Sequence, residues 1–152
     1  MKRLKRVLDN VIALDANKVM QKALSLRLVQ EEIVRLNTDE QLFERGINAD
    51  GVELSDIGGD YSLVTVLLKK ENSLPFDRVT LFDTGEFYSS FYVKVFDTYF
   101  EIVADTIKDG EDLQNRWGDE LLGLTDESRE ALKKLLLNEG ILKEIILAEI
   151  LK

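Results

Sequence analysis

"SFYVKVF" (90–96) and "YFEIVADTI" (99–107), joined by Asp97-Thr98, decide the fold of this chain. In the first segment Phe91, Val93 and Val95 alternate with Tyr92, Lys94 and Phe96. Successive side chains of a strand point to opposite faces, so this alternation fits a half-buried strand. The second segment begins after only two residues, a connection suited to a tight hairpin. An antiparallel hairpin is therefore expected near the middle of the sequence.

Both flanks read as helix. From Leu4 to about Leu36 apolar residues recur at helical spacing (Leu4, Val7, Leu8, Val11, Ile12, then Val19, Met20, Ala23, Leu24), with no Gly or Pro between them. Asp15 interrupts the stripe, and a kink or change of face is expected there. Thr38 followed by Gln41 has the spacing of a capping box for a short second helix that Gly46 would end. Towards the other terminus, Thr125 is expected to cap one long helix, with Asp126 and Glu127 at the positive end of its dipole. Leu132, Leu135, Leu136, Ile141, Leu142, Ile145, Ile146 and Ile150 make a wide apolar stripe along it, with a bend at Gly140. Part of so wide a stripe can face another subunit.

The predicted class is α+β, a small antiparallel β-sheet with a central hairpin packed against long N- and C-terminal helices. Residues 1–152 form one domain: a helical region over 1–45, a loop and antiparallel region over 46–124, and a C-terminal helix over 125–152. Within the middle region, "GINADGVELSDIGGD" (46–60) has four glycines and reads as a loop. Its Asn48, Asp50 and Gly51 mimic part of a calcium loop, but Gly46 and Ile57 stand where the anchoring carboxylates belong, so no calcium site is expected. "YSLVTVLLKK" (61–70) fits a strand by its β-branched residues and a helix by its length. A turn around Pro75 follows, and "EDLQNRWGDELLGL" reads as a helical turn ending near Gly118.

The composition narrows the chemistry. Cysteine and histidine are both absent, which removes disulfides, thiolate nucleophiles, imidazole bases and the usual zinc sets. No cofactor, metal or catalytic residue is expected. The net charge of −9 is uneven: +4 over residues 1–37, −14 over 38–128 and +1 over 129–152. An acidic middle repels phosphate, so ordinary DNA or RNA binding is not expected. The longest apolar runs, such as "LVTVLL" (63–68), are too short to cross a bilayer. "MKRLKRVLDNVIALD" reads as a helix and not as a signal peptide.

One tripeptide raises the question of catalysis. Asp83-Thr84-Gly85 in "VTLFDTGEFYSS" (79–90) is the sequence with which retroviral-type aspartic proteases hold their carboxylate. Those enzymes are nearly all β and pair two such carboxylates, whereas here Glu86 adds a charge and helical patterns occupy both ends of the chain. A geometric role accounts for more of the residues. Asp83 would cap a helix beginning in "TGEFYSSF", Glu86 would reach back, and Gly85 would allow a close turn. Asp83, Thr84, Gly85 and Glu86 then form a hinge between the β-like "VTLF" and that helix, with Phe87 and Phe91 burying one face.

In this order of elements the chain resembles the tail-completion, or virion-morphogenesis, proteins of tailed bacteriophages. The resemblance spans roughly residues 40–137. It is carried by "GINADGVEL", by "YSLVTVLLKK" with Thr65, Lys69 and Lys70, by the hinge "LFDTGEFYSSF" and the amphipathic hairpin, and by "LQNRWG" and "LLGLTDESREALKKLLL". The resemblance implies a structural protein without an active site, built as a homo-oligomeric ring into the head–tail connector at the neck of the virion. It further implies portal or adaptor and tail proteins as partners, DNA passing through without sequence-specific binding, no membrane, and assembly in the host cytoplasm. Phe87, Phe91, Trp117, Leu142 and Ile146 are the candidate subunit-interface residues.

In such a ring the acidic middle would line a lumen that lets DNA slide, or would keep the free subunit soluble. The basic start (Lys2, Arg3, Lys5, Arg6) could dock on an acidic neighbour. An alternative is an acidic decoy that imitates nucleic acid and inhibits a host nuclease or defence enzyme. A third reading is hydrolysis by the carboxylate pair of Asp83 and Glu86.

Overall fold

Asp15 interrupts the N-terminal stripe because it starts a new helix. Its carboxylate accepts the amide hydrogens of Asn17 (2.9 Å) and Lys18 (3.4 Å), so α1 (Lys2–Ile12) gives way to α2 (Ala16–Leu24). An extended Leu26 then separates α2 from α3 (Arg27–Arg35). The computed structural model, which describes residues Met1–Lys152, thus replaces the single expected N-terminal helix with three.

No second helix is capped at Thr38. Instead α3 runs directly into a π-helical segment, Leu36–Arg45, and the Thr38 hydroxyl donates to the Val34 carbonyl one turn back (2.8 Å). The wider turn carries Asn37 and Gln41 inward, where both are fully buried. Gly46 ends the segment as expected, in the left-handed region at φ 63°.

The hairpin forms as the alternation predicts. β1 (Tyr92–Val95) pairs antiparallel with β2 (Phe100–Val103), with Tyr92 opposite Val103 and Val95 opposite Phe100. The Phe96 amide donates to the Tyr99 carbonyl (2.8 Å) across Asp97-Thr98, and the two rings stack with centroids 4.6 Å apart. Val93 and Ile102 are buried beneath α3, while Tyr92 and Lys94 face outward. The second strand is shorter than "YFEIVADTI" suggests. Beyond Val103 the chain leaves β2, and β3 (Ile107–Lys108) pairs instead with β4 (Glu111–Asp112) around Asp109-Gly110. The result is an α+β fold with two separate two-stranded ribbons.

Within residues 61–70 the chain is helical from Leu63 onward. The shorter helices are α4 (Leu54–Gly58), α5 (Leu63–Glu71), a single turn α6 (Glu86–Ser89) and α7 (Leu113–Trp117), with α4 against α7. The Ser62 hydroxyl caps α5 by accepting from the Thr65 amide (3.2 Å). Thr125 caps α8 (Asp126–Asn138) by the same device, accepting from Ser128 (3.1 Å).

Gly140 does more than bend the C-terminal helix. Its left-handed φ of 75° breaks it, and α9 (Ile141–Ile150) folds back onto α8, α2 and α1. Ile33, Leu36, Leu42, Leu54 and Leu121 are without solvent exposure at the centre of the core that these elements enclose.

The Glu149 carboxylate tethers the returning helix. Hydrogen bonds from Lys152 first and Lys22 second hold its pKa down to about 2. A folded-state pKa below the ordinary carboxylate value means that this link is intact above about pH 4.5 and is lost as the pH falls towards 2. Amide protection factors across Ile141–Ile150, taken relative to the intrinsic rate at each pH, are therefore expected to fall over that acid window. Glu149→Gln should show the lower protection already at neutral pH.

Candidate functional site

The segment from Val79 to Phe91 has few sheet partners to offer, and side chains satisfy its backbone. The Tyr61 hydroxyl accepts from the amides of Thr80 (2.8 Å) and Leu81 (3.2 Å). The Tyr88 hydroxyl donates to the Thr80 carbonyl (2.6 Å), and the Lys69 ammonium donates to the Phe82 carbonyl (2.5 Å). Burial, aided by the nearby Tyr61 and Asp39, raises the Tyr88 pKa and keeps its hydroxyl a donor. These bonds hold Leu81 at φ 59°, a left-handed conformation that leucine seldom adopts. "VTLF" is therefore an irregular run tied down by tyrosines and a lysine, not the β-like run expected, and it belongs to neither ribbon.

The chain turns at Gly85, but Asp83, Thr84 and Glu86 act differently from the expectation. Asp83 caps no helix. Gly85 occupies the cap position of α6 with φ 90°, and the Thr84 hydroxyl accepts from the Glu86 amide (3.4 Å). Asp83 lies two residues ahead of that cap and points outward, 65% exposed, with its carboxylate 3.4 Å from the Lys108 ammonium. Glu86 forms no reciprocal bond to the cap. The chain turns here because only glycine adopts this φ without strain. Asp83→Asn then removes one exposed ion pair, and thermal unfolding should show a loss of at most about 0.5 kcal/mol.

Beside the hinge is a cleft of about 410 Å³ between α5, the 79–83 run, β3–β4 and α7. Lys69 and Trp117 form its buried wall. The Lys69 ammonium lies 4.7 Å from the Tyr61 ring centroid and has no carboxylate partner. The Arg116 guanidinium stacks over Trp117 at 4.4 Å and donates to the Gly58 carbonyl (2.9 Å). Asp60, Asp83, Asp109 and Glu111 stand around the mouth. The cleft mixes both signs of charge, and nowhere in the chain do three Asp or Glu side chains converge as a metal site.

The interface candidates divide. Phe87, Phe91 and Trp117 are only 6–7% exposed within the single subunit, so they are core residues and not a surface for a neighbour. Phe87 and Phe91 meet edge to face at 5.0 Å in an aromatic cluster with Tyr88, Phe82 and Phe43. Leu142 and Ile146 are half-buried on α9.

Sequence reasoning missed two larger outward faces. α1 buries none of its residues and exposes Leu4, Leu8, Val11 and Ile12. α5 is inverted: its one buried residue is Lys69, while Leu63, Val64, Leu67 and Leu68 face water. The i, i+4 spacing of these residues was the available signal in both cases. The carboxylates of the middle region are also on the outside, since none of the twenty-one between residues 38 and 128 is buried. No helix is long and apolar enough to cross a membrane. Set beside known protein families, curated proteins and solved structures, the chain matches none.

Proposed function

We propose that this chain is a non-enzymatic structural protein of a tailed-bacteriophage virion, forming a homomeric ring at the head–tail connector. The observation that carries the reading is the pair of outward apolar helix faces on α1 and α5. Each large apolar side chain left in water forgoes about 1.5–3 kcal/mol of transfer free energy, and contact with another molecule recovers it. Subunits that wait for neighbours carry such faces; a self-sufficient enzyme has less use for them.

Two further features support the reading. The order of glycine-bounded loop, Ser/Thr-and-Lys stretch, hinge, hairpin and Thr125-capped helix resembles that of tail-completion proteins. The outward carboxylates suit a channel wall that repels phosphate, so that DNA slides through without sequence-specific contact. The portal or adaptor on one side and the tail on the other would be its neighbours in the particle. Asp83, paired with Lys108, serves no reaction in this scheme.

Mass spectrometry of purified particles, with imaging of the neck, tests the proposal. The protein should be present in several copies per particle, and the free subunit monomeric or weakly associated. Absence from particles combined with displacement of DNA from host nucleases at low salt would establish the acidic-decoy reading in its place.

A further inference from the structure

The ring reading requires each copy to offer its neighbours contact surfaces, and it rests on that requirement to ask which surfaces meet. α1 presents Leu4, Leu8, Val11 and Ile12 in one stripe, exposed by 45–84%. α5 presents Leu63, Val64, Leu67 and Leu68 as a second contiguous patch, exposed by 53–74%. The patches are distinct. α1 leans on α9, to which the Asn10 amide is bonded through the Ile150 carbonyl (3.0 Å), whereas Leu68 of α5 lines the cleft beside the hinge.

The sequences that flank them are opposite in charge. Lys2, Arg3, Lys5 and Arg6 on α1 are exposed, and none forms an ion pair within the subunit. The chain that leads into α5 carries Asp50, Glu53, Asp56 and Asp60, all exposed and equally unpaired, with no Lys or Arg from Gly46 to Leu68. The two lysines of α5 do little to offset this. Lys69 is turned inward onto the Phe82 carbonyl, and Lys70 lies over the Phe76 ring at 4.6 Å.

We infer that the basic apolar face of α1 in one copy docks on the acid-flanked apolar face of α5 in the next. Like-with-like pairing is opposed on both sides, because α1 against α1 juxtaposes eight cations, counting four from each copy, and α5 against α5 brings carboxylates together. Unlike surfaces on one chain make a head-to-tail contact, which repeats around a ring and does not close at a dimer. An anionic membrane surface could attract α1. It would leave the α5 face uncovered and would meet the acidic middle with repulsion, so a second copy is the better fit.

The cysteine-free chain is a clean background for trapping this contact. Leu8→Cys and Leu67→Cys are made separately, each checked for native circular dichroism, then mixed and treated with a short bismaleimide. The mixture should give at least about ten-fold more cross-linked dimer than either variant alone. The double variant should give a ladder of oligomers, and raising the salt to about 0.5 M should suppress both products.

Equal yields in all mixtures, or a dominant Leu8→Cys homodimer, would overturn the inference. So would co-sedimentation of the unmodified protein with phosphatidylglycerol vesicles in the absence of the mixed product. The test is independent of the virion reading. A particle protein that fails to cross-link refutes only this interface, and a protein that cross-links but is missing from particles refutes only the virion role.

Discussion

Replacing Gln41 by leucine is expected to destabilise the protein by about 2–4 kcal/mol, although the two side chains are of similar size. Gln41 has no solvent exposure, and its amide faces in two directions at once. Nε2 donates to the Gly123 carbonyl (2.8 Å), and Oε1 accepts from the Thr125 amide (2.9 Å). Asn37, one turn earlier, takes the Gly123 amide on Oδ1 (2.9 Å) and donates to the Leu121 carbonyl (3.2 Å).

Together the two amides clamp the strap that leads into α8 and hold Thr125 in its cap position. Leucine leaves two buried backbone groups without partners, each costing about 1–3 kcal/mol. In a domain of this size the midpoint of thermal unfolding should fall by roughly 10 °C. Because both clamps grip residue 123, Asn37→Leu and the double variant should be non-additive. A change below about 0.5 kcal/mol for Gln41→Leu would mean that the strap finds other partners.

The second large effect is expected at Gly46. An added Cβ would lie 2.8 Å from the Val79 carbonyl oxygen and 3.3 Å from the Arg78 Cβ, and the backbone stands at φ +63°. Left-handed strain contributes about 1–2 kcal/mol for a residue with a side chain, and forcing the 79–80 run aside about 1–3 kcal/mol more. Gly46→Ala should therefore lose about 3 kcal/mol in urea unfolding. Gly51 is the control: its φ is +76° but a Cβ there meets nothing within 4 Å. Gly51→Ala should show the strain alone, and the difference between the variants isolates the collision. Equal losses would place the whole effect in the backbone angle.

What could be read from the sequence was mostly local. The period-two alternation of 91–96 specified β1, and Thr125, Gly46 and Gly118 marked helix ends correctly because capping depends on a few neighbouring residues. Asp15 was visible as an interruption, and its role as a cap follows from the same chemistry. The break between Ser25 and Leu26 had no comparable marker.

Residues 61–70 were ambiguous for a physical reason. The apolar face of α5 does not point into the core, so its pattern says little about where it packs. Asn37 and Gln41 resemble surface residues in the sequence, and their partners lie more than eighty positions away. At the hinge, Asp83 drew attention as the polar residue, whereas the glycine two positions later sets the turn. Phe87, Phe91 and Trp117 fill the subunit's own core, a role that their type alone does not distinguish from an interface.

The return of α9 onto α1 and α2 has a kinetic consequence. Helix α1 leans on α9, and the bond between Asn10 and Ile150 joins residues 140 positions apart. Until residues 141–150 leave the ribosome, α1 lacks that support, while Leu4, Leu8 and Ile12 stay exposed before and after it forms. Docking of α1 is thus a late step of folding.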